Sequence, residues 1–527
     1  MPVLPSLRAQ RGNLFRLYTR PEEIAALRPK NPYELHYGYL TLFGSRHRND
    51  GLSGYFRCCE MSVTHPLLLI PVENQVRELD PKLLLACVAA KHGFSSIVGS
   101  RREMEFNIDS FPSAIYLSKS MTIRSLLFFR IARRFGHKIV AWDEEALVHL
   151  PPKTYFSRRL DAATIKYVLS LFAWGQDNVD LWRQYPHTPK DTPIHAVGNP
   201  RGDMLRAEIR AYYKSDAEAL RRQYGDFILV NTNFNHVNAF GADINLFRPV
   251  KRPGEKARFG RAARGMSREY ARGLYEHKLA VFSRFKALIP ALEAEYPRHT
   301  IVVRPHPTEN HHVYEDIAAR CQRVRVSNEG NVVPWLMAAK ALVHNGCTTA
   351  VEAFAMDVPA ISYRAVVNED YDAGFYRLPN GLSHECFSFD ELKQTLDRIL
   401  RGELGSPAGA ERQLLIDRYL EAQDGPLACE RMVRVLETLE KSQGDSSGAS
   451  ISSGLQRWVL ARGLDLARRL KSHLPGSHNK PEYQLHRYPA LPLDDIRRRM
   501  ARFQQLLGYR NEIHIESVSD VMFRVQA

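Results

Sequence analysis

Two successive runs of strand–helix alternation constrain this chain most. From Pro66, short apolar segments recur at Leu67–Val72, Ser96–Gly99, Ala114–Leu117, Lys138–Trp142, Leu171–Trp174 and Ile194–Val197. Helical patterns fall between them at Leu79–His92, Ile123–Phe135 and Asp161–Val168, the first with Asp80-Pro81 as its expected cap and first turn. Apolar runs this short read as strands buried on both faces. Strands that alternate with helices make a parallel sheet through right-handed crossovers. A second series follows: Phe227–Asn231, Thr300–Arg304, Arg323–Val326, Ala341–His344 and Pro359–Tyr363, with helices expected over Met266–Tyr296, Val332–Ala339, Thr349–Met356, Phe389–Arg401 and Gln413–Leu439. The pattern predicts an α/β chain of two Rossmann-like domains. Ligands in open parallel sheets bind beyond the strand carboxyl ends, so the two domains are expected to face a common cleft.

The expected division is 1–60, an extension without a clear period; 61–215, the first Rossmann-like domain; 216–440, the second; 441–454, a linker; and 455–527, a basic helical tail. The linker reading rests on Ser- and Gly-rich composition from Ser442 to Gly454. In the tail, Leu455, Val459, Leu466 and Leu470 share one helical face, with Arg457, Arg468 and Lys471 opposite. Such a helix lies on an anionic membrane surface or packs on the body of the protein. Asp494–Leu507 reads as a further basic helix.

The chain has 527 residues and a formal charge of +15, with 73 Lys+Arg against 58 Asp+Glu. That balance calls for an anionic partner. No paired Cys-x-x-Cys, aromatic RNA-binding motif or long basic run accompanies it, so nucleic acid is not the expected partner; phosphorylated substrates and an anionic membrane are. Seven scattered cysteines fit reduced thiols in a cytoplasmic protein rather than a disulfide framework. Neither a secretory leader nor an apolar run long enough to span a bilayer is read in the chain.

The candidate chemistry gathers at strand ends. His344-Asn-Gly-Cys-Thr-Thr-Ala-Val-Glu352 reads as a turn opening a helix, with backbone N–H groups free to seat a phosphate. In it Asn345, Gly346, Thr348 and Thr349 are donor-binding candidates. Glu352 either closes a capping box with Thr349 or binds a ribose hydroxyl. Arg304-Pro-His-Pro-Thr-Glu309 holds His306 between two prolines on a rigid turn. Arg304 and His306 suit phosphate contact or protonation of a leaving group. Asp143 and Glu144, in the run Trp142-Asp-Glu-Glu-Ala146, are expected to act as base or nucleophile across the cleft from His306. Glu73 and Arg77 after the first strand, Asn199 and Arg201 in Gly198-Asn-Pro-Arg-Gly-Asp203, and Asn231 and Asn233 after the seventh strand complete the set. No metal-ligand cluster is evident.

The segments IPVENQVRELDPKLLLA, DEEA, FAWGQDNVDLW, VGNPRGDML, NTNF, RPHPTEN and HNGCTTAVEAFAMDVPAISY together resemble bacterial surface carbohydrate (polysaccharide) biosynthesis proteins. More distantly, the chain is similar to GT-B glycosyltransferases of the sialyltransferase and Kdo-transferase type. RPHP matches their His-Pro motif at His306-Pro307, and CTTAVEA their Ser/Thr pair at Thr348-Thr349. DEE stands at their acidic motif, although Ala146 replaces the glycine that follows it there. The resemblance implies transfer of a sugar from a nucleotide donor, with a CMP-activated acidic sugar favoured. No metal or other cofactor is implied. His306 would assist departure of the nucleotide phosphate, and the threonines would hold it. The implied acceptor is a growing, lipid-linked saccharide at the inner face of the cytoplasmic membrane. A CDP-glycerol-type polyol-phosphate transferase, a non-hydrolysing nucleotide-sugar epimerase and a non-catalytic assembly scaffold are the rival readings.

Overall fold

The computed structural model describes residues 65–250, 257–372, 376–441 and 488–527. The extension 1–60, the linker and the Leu455–Leu474 helix lie outside the described residues.

Two sheets organise the rest. The first runs β13-β14-β2-β1-β3-β4-β5-β6, built on β1 (Leu67–Val72), β2 (Ser95–Ser100), β3 (Ala114–Ser118), β4 (Lys138–Trp142), β5 (Ser170–Ala173), β6 (Ile194–Ala196), β13 (His514–Ser519) and β14 (Met522–Gln526). The second runs β12-β11-β10-β7-β8-β9, from β7 (Phe227–Asn231), β8 (Thr300–Arg304), β9 (Val324–Val326), β10 (Ala341–His344), β11 (Ala360–Tyr363) and β12 (His384–Cys386), and all its pairings are parallel. Every residue of β1, β7 and β10 is buried. Helices on both faces leave those strands no wet side, which is why they read as unbroken apolar runs. This is the two-domain parallel α/β architecture expected from the sequence.

Three local expectations change. The first long helix spans Gln75–Lys91, begins after Asn74, and carries Pro81 in its interior. Asp80 is therefore no cap. It is buried, and accepts from the hydroxyls of Tyr212 and Tyr213 and from the Arg499 guanidinium. The expected helix Gln413–Leu439 is two helices, Ala410–Tyr419 and Ala428–Lys441, separated by a turn in which Ala422 and Gly425 have positive φ. Finally, the tail is not simply helical. After the helix Leu493–Leu507, β13 (His514–Ser519) and β14 (Met522–Gln526) form a hairpin, and β14 pairs antiparallel with β2.

The chain thus returns to its first domain at the end. Asp203 receives the backbone N–H groups of Ala428 and Cys429 at 2.7 and 2.9 Å, fixing the start of the helix Ala428–Lys441. Met432, Val433 and Leu436 of that helix join one apolar core with Leu83 and Val88 of the first domain. The same core continues through Phe227, Leu229 and Leu342 on the near face of the second sheet.

Candidate active site

The carboxyl ends of both sheets open into one cleft of about 2270 Å³. Glu73 and Arg77 follow β1, Lys119 follows β3, Glu145 follows β4 and Arg201 follows β6. Opposite them stand Asn231–Asn233 and His236 after β7, the turn Arg304–Glu309 after β8, and Thr348, Thr349 and Glu352 after β10.

The first wall is an ion network around a buried carboxylate. Glu78 accepts from Lys82 at 2.9 Å and from Lys119 at 2.6 Å. Burial opposes its charge, but Lys82, Lys119 and Arg77 outweigh burial and hold the carboxyl well below its ordinary range. Lys119 also reaches Glu73 at 3.0 Å, and Arg77 donates to Glu145 at 2.7 Å. Glu73 and Arg77 are thereby set by neighbours on their own wall while still lining the cleft.

The acidic run behaves differently from the expectation. Asp143 is 1 % exposed; it accepts from the Tyr155 hydroxyl at 2.7 Å and from two nitrogens of Arg159. Glu144 is also buried and accepts from the Trp142 indole at 3.1 Å, with Lys82 at 3.3 Å. Neither lines the cleft. Both complete internal networks behind the wall. Of the run, Glu145 is the carboxylate that lines the cleft, its side chain 53 % exposed. Arg77 holds it ionised, well below the usual carboxylate range.

On the second wall, Glu309 anchors the histidine turn. It is buried and accepts from Thr232, Tyr314 and the backbone N–H of His306. The Thr308 backbone N–H donates to His306 Nδ1 at 3.2 Å, so the neutral ring carries its proton on Nε2. Burial, reinforced by Arg77 and opposed by Glu145, pushes the imidazolium down to about 4. His306 therefore meets the cleft as a neutral Nε2–H donor near neutral pH. His306, Arg77 and Glu145 all line this cleft.

The turn after β10 is not an open amide nest. His344 is buried, and its Nδ1 accepts from the N–H groups of Gly346 at 2.9 Å and Cys347 at 3.4 Å. Its Nε2 is bonded to Ser383, and burial drives its titration down to about 3. Two of the amides expected for a phosphate thus belong to the protein. Gly346 has φ +83°, and a Cβ there would strike the Tyr376 ring, so this residue is needed for both conformation and close approach. Gly346 does not line the cleft; Asn345 lines a small recess beside it.

Thr348 and Thr349 do line it, and the Thr349 hydroxyl accepts from Asn231 Nδ2 at 3.0 Å. Asn233 also lines it, and its carbonyl accepts from Asn345. The side-chain oxygens of Asn231 and Asn345 are buried without partners. No capping box forms: neither threonine caps the helix Thr349–Ala355, and Glu352 instead accepts from Arg201 of the opposite wall at 2.7 Å.

Two further candidates are engaged by the protein itself, although Arg304 still lines the cleft. The Arg304 guanidinium donates to the carbonyls of Glu329 and Gly330 and stacks 5.2 Å from Trp335. Burial lowers it to about 10, which leaves it charged but committed to that loop. Asn199 is a buried cap for its own turn, accepting from the Arg201 N–H, and does not line the cleft. The sequence reading missed Glu145, Lys119, His236 and Lys278. Lys278 carried a signal: it sits in the helical stripe Lys278, Phe282, Phe285, Ile289, Leu292, where every other member is apolar and buried.

Among the described residues no group of His, Cys, Asp and Glu is placed to hold a metal ion. No helix there is long and apolar enough to cross a membrane.

No family model and no curated protein sequence matches the chain. Solved structures resemble it weakly. The wall teichoic acid polymerase TagF aligns over 72 % of this chain and 90 % of its own, at 13 % identity and a TM-score of 0.43. UDP-GlcNAc 2-epimerase from Neisseria meningitidis, bound to UDP-GlcNAc, aligns over 72 % and 100 % at 12 % identity and 0.40. S. aureus MnaA with UDP aligns over 72 % and 98 % at 12 % identity and 0.43. Likeness at this level assigns neither substrate nor residue roles.

Proposed function

We propose that the chain is a glycosyltransferase of cell-surface polysaccharide assembly, using a nucleotide-activated sugar as donor and a saccharide as acceptor. The observation that carries this reading is that one cleft is lined by His306 on the second wall and by the Arg77–Glu145 pair on the first. The cleft thus holds a neutral N–H donor on one wall and a fixed cation paired with an ionised carboxylate on the other. A departing phosphate needs the first two, and an attacking hydroxyl needs the third.

In the proposed step the acceptor oxygen bonds to the anomeric carbon while the bond from that carbon to the donor phosphate breaks. The hydroxyl proton passes to Glu145. Arg77 makes that carboxylate a weak base, so it takes the proton late, as the new bond forms. The leaving phosphate oxygen accepts a hydrogen bond from the neutral Nε2–H of His306 and departs as an anion in the field of Arg77, the proton staying on His306. Thr348 and Thr349 offer hydroxyls to the same phosphate. Closure of the two walls excludes water that would otherwise compete as acceptor.

The donor we favour is a CMP-activated acidic sugar such as Kdo or a sialic-acid-like sugar. The acceptor we favour is lipid-linked, presented at the anionic inner face of the cytoplasmic membrane, in keeping with the charge of +15. Thermal-shift titration with CMP, CDP, UDP and GDP tests the donor. Stabilisation by CMP that disappears in the Thr348→Ala/Thr349→Ala variant is the expected result. Stabilisation by UDP alone removes the CMP donor. A new sugar product formed from the donor without any acceptor replaces transfer with epimerisation.

A further inference from the structure

Lys278 is a buried cation in a place the transfer step above does not use. It projects from the third turn of the helix Arg268–Glu295, is 5 % exposed, and lines both the main cleft and the small recess that contains Asn345. Lysines are almost never this buried unless paired. The acid nearest to hand is taken: Asp372 accepts from His277 at 2.8 Å and from the Asn368 N–H at 3.1 Å, with Arg364 at 3.5 Å. Among the described residues Lys278 makes neither an ion pair nor a hydrogen bond; its ammonium rests 4.1 Å from the centroid of the Tyr376 ring. The partnerless Asn345 Oδ1 lines the same recess. Lys278 shares the lining of the main cleft with His236 and His306, so the recess adjoins the cleft that holds the proposed reaction.

We propose that Lys278 receives an oxyanion carried by the donor, in a recess where Asn345 Oδ1 accepts from a neighbouring hydroxyl of the same ligand. An ammonium and an unpaired carbonyl side by side fit an acid oxygen next to a hydroxyl. Burial drives the Lys278 ammonium down to about 7, against the pull of Asp372 and Glu309, and an incoming oxyanion restores its charge. A solvated surface lysine gains little from an anion; this one exchanges a costly isolated charge for a pair. The inference rests on the donor reading above. The oxyanion is either a nucleotide phosphate or the carboxylate of an acidic sugar.

Amine labelling of the wild-type protein with acetic anhydride, read at Lys278 by peptide mass spectrometry, separates these cases. The probes are inorganic pyrophosphate, CMP and CMP-N-acetylneuraminate. Protection by pyrophosphate and CMP identifies the phosphate. Protection by CMP-N-acetylneuraminate but not by CMP identifies the sugar carboxylate. Protection by pyrophosphate, with no nucleotide stabilising the protein, leaves Lys278 as an oxyanion site and removes the nucleotide-donor reading. Unchanged labelling with every probe overturns the assignment of Lys278, and does so alone if nucleotides still shift the melting temperature. As a second measurement, Lys278→Met should weaken the protecting probe at least about tenfold, or about 1.4 kcal/mol, without lowering the melting temperature. Equal affinity in the variant and the wild type overturns the proposal.

Discussion

Arg201 of the first domain donates to Glu352 of the second at 2.7 Å, and both side chains are largely buried. The pair ties the two walls of the cleft together. Removing one partner leaves the other charge poorly solvated. Glu352→Gln is expected to lower unfolding free energy by about 1–3 kcal/mol in urea denaturation. The Arg201→Met/Glu352→Gln double variant should be no less stable than the worse single. Additive losses would show that the contact does not couple the domains.

The acidic run should divide into structural and chemical members. Asp143→Asn breaks a buried network with Arg159 and Tyr155 and should cost about 2–4 kcal/mol. Glu145→Gln removes a half-exposed pair with Arg77 and should cost less than about 1 kcal/mol, yet slow transfer at least about a hundredfold. Steady-state kinetics beside thermal melts reads both. A fully active Glu145→Gln protein would sink the base assignment.

Buried histidines set the acid side of the stability profile. His306, His236 and His344 are pushed down to about 4, 3 and 3, below the ordinary 6.5. The unfolded chain then binds more protons than the native one between those values and 6.5. Stability is full above 6.5 and falls as pH drops from there towards 4, by up to about 1.4 kcal/mol per unit for each histidine. Glu78 and Glu145, held low, add the same trend only below about 4.5. Melting temperature measured against pH should therefore begin to fall near 6.5. A curve flat down to 4.5 contradicts neutral burial of these rings.

Lys278 has the same sign in a different window. Its folded state binds fewer protons than the unfolded chain between about 7 and 10.5, so the strain it imposes is full below 7 and fades as pH rises through that interval. Lys278→Met should raise stability at pH 6 by about 2–4 kcal/mol, with the gain shrinking towards pH 10. A stabilised but impaired variant marks a residue kept for function. Melting curves across that range decide it.

Gly346→Ala meets both an unfavourable φ and the Tyr376 ring. A loss of about 2 kcal/mol or more is expected, with part of it recovered when Tyr376 is also replaced by alanine. A fully stable single variant would mean that Tyr376 is not packed against this turn.

What the sequence disclosed follows from how local its causes were. The bounds of β1, β4, β7, β8 and β10 match the sequence reading because strands covered on both faces need no partner to be recognised. The cleft-facing placement of His306, Thr348 and Thr349 followed from the same rule about strand ends. Long-range partners were illegible. Nothing local marks Asp80 as a ligand for Arg499 rather than a cap, since the two are 419 residues apart. Within Asp143-Glu-Glu145 the pleat of β4 and the positions of Arg159, Lys82 and Arg77 decide which carboxylate turns outward. β13, a polar strand with no buried residue, becomes legible only beside β14, which in turn rests on β2. The break at Ala422–Gly425 was marked by Asp424-Gly-Pro426 and outweighed by the helical pattern on either side.

The return of β14 to β2 also bears on synthesis. Ser95 and Arg524, which bond across that edge, are separated by 429 residues. A ribosome must therefore finish the whole second sheet before the first can close. Until then β2 presents an open edge to any neighbouring nascent chain, and loop closure over that span is slow. The second sheet, contiguous in the chain, can assemble without waiting. Vectorial production thus favours a folding order opposite to the order of translation, with the domain that emerges first being the last to be sealed.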